Sequence, residues 1–115
     1  MSWQIGNEPR AFSKEQLPAF EKWLGEASKL IRSLDKNHLI SIGSEGKWGC
    51  EGELNCWERI CADKNVDYCN IHLWPYNWSW ARKDHLQEDL GISCQNTKEY
   101  IDEHLEVCGR IRKPL

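Results

Sequence analysis

Two kinds of segment take turns along this chain, and that alternation limits the possible folds more than any other feature. From Leu17 onward, apolar residues recur at Leu17, Phe20, Leu24, Ala27, Ile31 and Leu34. Steps of three and four place them on one face of a helix. Ser13 is a candidate N-cap with Gln16 three residues on, and Pro18 moves the true start to about Leu17. Short β-rich runs flank this helix, "SWQIG" before it and "HLISIG" after it. The second run is almost continuously apolar, as in a strand buried on both faces. "CWERICADKN" reads as a short helix with Trp57, Ile60 and Cys61 on one side, and "VDYCNIHL" as a third strand. A Trp-rich loop follows. Asn96, with Glu99 three residues later, predicts the cap of a last helix that buries Tyr100, Ile101, Leu105, Cys108 and Ile111. Pro114 stops that helix, and Leu115 begins another strand-like run. The order β-α-β-α-β-α-(β) predicts an α/β fold with parallel strands and right-handed crossovers.

In such sheets functional groups gather at the carboxyl ends of the strands. The polar residues of this chain fall there: Asn7 and Glu8 after the first strand, Ser44 and Glu45 after the second, His72 and Trp74 at the end of the third. A carboxylate beside an amide and an arginine can serve as a general acid whose pKa its neighbours set. It can equally be a loop-capping Glu paired with Arg10. At 115 residues the chain makes one domain (1–115) with a single core. A net charge of −3 with interspersed signs gives no basic stripe for nucleic acid. No apolar run approaches the ~18 residues that membrane insertion needs. Six cysteines without a CxxC pair give no zinc or thioredoxin-like pattern. Cys50 and Cys56 are near enough in sequence to pair if the protein is exported, whereas Cys61, Cys69 and Cys108 sit in apolar contexts as buried thiols. Seven Trp in so short a chain suit either a sugar-binding surface or ordinary burial.

The local strings sharpen this reading. "WQIGNEPR" resembles the Asn-Glu-Pro signature of glycoside hydrolase family 5. "SIGSEG" and "NIHLWPYNWSW" resemble later strand ends in its β-mannanase branch, and "RKPL" resembles the lead-in to the next strand. The resemblance spans the chain and implies part of a (β/α)8 TIM barrel, β4-α4-β5-α5-β6-α6 with the start of β7. It implies that Glu8 is the acid/base catalyst of a retaining double displacement on β-mannan or a related polysaccharide, and that Asn7 bonds the sugar 2-hydroxyl. It implies that Arg10 supports the site structurally and that His72 orients substrate or carboxylate. Family members often carry His-x-Tyr-Pro where this chain has His72-Leu73-Trp74-Pro75. Trp74 lacks the phenol, so it either stacks on a sugar or donates through its indole N–H. Trp78 and Trp80 are stacking platforms for neighbouring sugars or loop packing. Glu45 is a loop or substrate-contact residue.

The resemblance places the nucleophile, a second Glu, beyond Leu115. It therefore implies that the isolated chain is nearly inactive and that its open sheet edges favour self-association. It implies an extracellular or periplasmic parent protein and, since two carboxylates suffice for the chemistry, neither metal nor organic cofactor. Two other readings stand beside it: a cellulase-like glycanase of the same family, and a non-catalytic sugar-binding half-barrel. A third, a plain structural α/β module, predicts that Glu8, His72 and Trp74 do not converge.

Overall fold

The computed structural model describes all residues, 1–115. Strand β1 (Ser2–Gln4) lies parallel to β2 (Leu39–Ser41), with Trp3 opposite Ile40. Helix α1 (Leu17–Leu34) crosses between them, entered through a 3-10 turn at Lys14–Gln16. Ser13 caps that short turn, without a side-chain hydrogen bond, and Pro18 sits in the first turn of α1 where its missing N–H costs nothing. After β2 come a second 3-10 turn (Gly46–Cys50), α2 (Leu54–Ala62), an extended segment, a long loop and α3 (Leu86–Ile111).

The regular strands are short, but parallel pairing runs past them. Ile5, Gly6 and Glu8 donate backbone N–H groups to Ser41, Ile42 and Gly43 at 3.0, 3.2 and 2.8 Å. The expected third strand is extended chain with only two backbone bonds to the β2 side, Asp67 N–H to Ile40 O and His72 N–H to Ser44 O, each 2.9 Å. Side chains replace the rest of the ladder. Asp67 Oδ2 accepts the Ile40 N–H at 2.7 Å, and Asn70 Oδ1 accepts the Gly43 N–H at 2.9 Å. The order of a parallel sheet is kept while its regular pattern is broken. On the far side Cys69 N–H reaches Pro114 O at 2.8 Å, so the final residues line up as the next strand would.

The core gathers Leu24, Ile42, Trp57, Ile60, Val66 and Val107 with five of the cysteines. All six cysteines are free thiols. Ile40, Ser41 and Ile42 are buried in succession, as a strand covered on both faces requires. Trp57, Ile60 and Cys61 share the inner side of α2.

Three expectations need correction. Leu34 ends the apolar stripe of α1 but is 81% exposed, while Ser28 is fully buried. Leu34 lies with Ile31 beside Trp3, over the edge of β1 that no strand pairs. Asn96 is not a cap: α3 begins ten residues earlier, after His85. Asp89, in its first turn, accepts hydrogen bonds from the Arg82 backbone and guanidinium at 2.7–2.8 Å, which ties the incoming loop to the helix start. Finally, α3 buries His104 and Val107 and leaves Leu105 half exposed. His104 has polar partners waiting inside, so the hydrogen-bonded face turns inward and the leucine outward.

Candidate active site

Glu8 stands where β1 leaves the sheet, with φ of +51°. A non-glycine residue in this region costs about 1–3 kcal/mol and persists only where surrounding contacts hold it. Here the Glu8 N–H is bonded to Gly43 O, and Pro9 follows. The turn aims the Glu8 carboxylate at the end of the third segment. His72 Nδ1 lies 2.9 Å from Glu8 Oε1, and Trp74 Nε1–H donates to the same oxygen at 2.5 Å. An ionised carboxylate only accepts, so Nδ1 carries the proton in this arrangement. His72 is itself placed by its N–H bond to Ser44 O.

The hydrogen bond from His72 holds the Glu8 carboxyl below its ordinary value. Partial burial pulls it upward, and Trp74 adds to the downward side, followed by the charges of His72 and Arg10. One oxygen is therefore taken twice and the other, Oε2, remains for a proton or a ligand. No cavity of the structure is lined by Glu8, His72 or Trp74, which lie on an open face.

Arg10 turns away from Glu8 to pair with Glu45, whose side chain is only 3% exposed. The Glu45 carboxylate is thus enclosed against a guanidinium. Asn7 is exposed beside Glu8. Trp78 and Trp80 do not join the Glu8 cluster. They pack on each other with ring centroids 5.0 Å apart and on Tyr100 at 5.1 and 5.9 Å. Tyr76 lines a separate loop groove with Arg82 and Lys83.

Two further residues anchor this region: Tyr100, which the sequence placed only on the buried face of the last helix, and His104, which it did not single out. Tyr100 O–H donates to Glu45 O. His104 Nδ1 bonds to Tyr100 O at 2.6 Å, and its Nε2 accepts the Lys47 N–H at 3.0 Å. Burial pushes His104 below the usual imidazole range and keeps it neutral, as an accepting Nε2 requires. Their i, i+4 spacing on α3 was the available signal.

Glu8, His72 and Trp74 thus come from two strand ends onto one carboxylate oxygen. Among known proteins, the model of the GH family 5 beta-mannosidase-like family matches residues 1–115. The chain belongs to that family. Among GH family 5 relatives it is 30% identical, over 132 residues, to mannan endo-1,4-beta-mannosidase 2 of Oryza sativa subsp. japonica, covering all of this chain and 28% of that protein. It is 27% identical to mannan endo-1,4-beta-mannosidase 4 of Solanum lycopersicum, covering all of this chain and 30% of the relative. The X-ray structure of the endo-beta-1,4-mannanase from Thermotoga petrophila superposes with a TM-score of 0.72 at 24% identity, over 99% of this chain and 26% of that one. That likeness shows a shared α/β fold. The chain spans less than a third of the length of the relatives it matches.

Proposed function

We propose that this GH family 5 chain supplies the acid/base half of a retaining β-1,4-mannan hydrolase, with its strands standing as the fourth to sixth of a (β/α)8 barrel. The observation that carries the reading is the convergence of His72 and Trp74 on one oxygen of Glu8 at a strand end. A structural module has no need of it, and sugar binding alone does not need a carboxylate so placed. Mannan is preferred over cellulose because the matched relatives are named for mannan. A polymeric substrate of this kind is met outside the cell, so an extracellular or periplasmic setting is part of the proposal.

The chemistry follows from the free oxygen. Glu8 Oε2 would protonate the departing glycosidic oxygen and later take a proton from water. His72 and Trp74 would fix the carboxylate plane so that Oε2 faces the bond. Asn7, exposed next to Glu8, would contact the 2-hydroxyl of the sugar under attack. Arg10 and Glu45 would hold the wall beside it.

An acid catalyst must begin protonated, yet the His72 bond lowers the Glu8 pKa. A second carboxylate about 5 Å away, as retaining enzymes use, would raise it by like-charge repulsion. The charges that act on Glu8 are those of His72 and Arg10, and no carboxylate is among them. We therefore infer that the nucleophile comes from outside these residues and that the chain alone turns over mannan very slowly. Calorimetric titration with β-1,4-mannohexaose tests the reading. Binding by the chain, weakened in Glu8→Ala, together with negligible hydrolysis is expected. Binding indifferent to Glu8, or turnover like that of an intact mannanase, overturns it.

A further inference from the structure

Three aromatic residues outside the Glu8 cluster, Trp48, Trp80 and Tyr100, line a cavity of about 240 Å³. Trp48, from the 3-10 turn after β2, and Trp80, from the loop before α3, form its walls, and Tyr100 of α3 lines it between them. The walls are rigid. Tyr100 is 3% exposed and tied by its hydroxyl to Glu45 O. Trp78 packs behind both other indoles, with ring centroids 6.0 Å from Trp48 and 5.0 Å from Trp80. Trp48 nevertheless stays 41% exposed, so part of its face is not consumed by packing.

The charges narrow the guest. Lys47 pairs with Glu103 at 2.5 Å and stands 5.4 Å over the Tyr100 ring, so the cavity already holds its own cation. Glu99 and Glu103 together disfavour an anion. A neutral guest rich in hydroxyls fits both conditions. The C–H face of a pyranose stacks on indole, and its hydroxyls can donate to carboxylates and exchange hydrogen bonds in both directions with the Asn96 amide. The volume lies below the about 300 Å³ at which pockets for drug-sized ligands begin, which suits one sugar ring.

We propose that this cavity is a second saccharide site, separate from the Glu8 cluster, which holds one pyranose of a polysaccharide. Glu45 stands between the two sites. Its carboxylate faces Arg10, and its carbonyl accepts from Tyr100. The two sites share no residue. The proposal goes beyond the catalytic reading and does not depend on hydrolysis.

The seven indole N–H resonances, each assigned by a Trp→Phe variant of the full chain, provide the test. On titration with β-1,4-mannotriose the Trp48 and Trp80 signals are expected to shift saturably, with a Kd on the order of 1 mM for a single stacked ring. Trp48→Ala abolishes the Trp80 shift, and Trp48→Phe, which keeps an aromatic face and controls for folding, retains it. In both variants Trp74, beside Glu8, responds as in the parent chain. Pocket signals that stay still at tenfold that concentration overturn the proposal. A response confined to Trp74 overturns the second site and leaves the catalytic reading standing.

Discussion

At the scale of single residues, the site rests on one oxygen of Glu8 held by two donors. In the sequence, strand-end position left Glu8 open between a general acid and a loop cap, and the resemblance of "WQIGNEPR" and "NIHLWPYNWSW" to family strand ends gave Glu8 and His72 their roles. The aim of Trp74 could not be read there, because an indole has one N–H and only the folded chain decides where it points. Its donation to Glu8 predicts that Trp74→Phe raises the Glu8 pKa, read from the carboxyl carbon shift in a ¹³C titration. An unchanged or lower pKa contradicts the geometry. The same shift fixes the sign of a stability effect. Glu8 is lowered on folding, so its contribution is complete above the ordinary carboxylate value near pH 4.3. It is lost as pH falls through the lower folded value.

At the scale of elements, α1 and α2 were legible because apolar periodicity and burial agree, as Leu24, Trp57 and Ile60 show. The start of α3 was not. An Asn-x-x-Glu pattern marks a cap only when the chain before it is not helical, and the Asp89–Arg82 anchor extends the helix ten residues upstream. The third strand was legible in its residues but not in its pairing, since Asp67 and Asn70 place side chains in the ladder. The turn that follows β2 depends on Gly43, at φ +83°, where an added Cβ would fall 1.9 Å from the carbonyl oxygen of Gly6. That neighbour is backbone and cannot swing aside. Gly43→Ala is expected to destabilise the chain by at least about 2 kcal/mol, combining left-handed strain with the clash. Urea denaturation measures it, and a loss below 0.5 kcal/mol (about the size of an ordinary surface change) contradicts this account of the turn.

At the scale of the whole molecule, the chain is more open than a closed domain of its length. Its radius of gyration is 15.2 Å, against about 13 Å for a compact domain of this size. One edge of β1 is unpaired, and Met1, Trp3 and Leu34 are at least half exposed on that side. Unpaired edges and apolar patches promote association. Light scattering should show mass rising with protein concentration, whereas a constant monomer mass speaks against open edges as the dominant surface. Under the proposed function the open edge would meet a neighbouring strand, and Glu8 would act as the acid/base group beside a second carboxylate. The most direct test of that claim is azide rescue of Glu8→Ala in the complete protein, using dinitrophenyl β-mannobioside, whose phenolate leaves without a proton. If Glu8 is the acid/base group, water attack is slowed by about 10²–10⁴-fold, azide restores turnover, and the product is the β-glycosyl azide. Turnover close to that of the unsubstituted protein, or no acceleration and no glycosyl azide, contradicts the assignment.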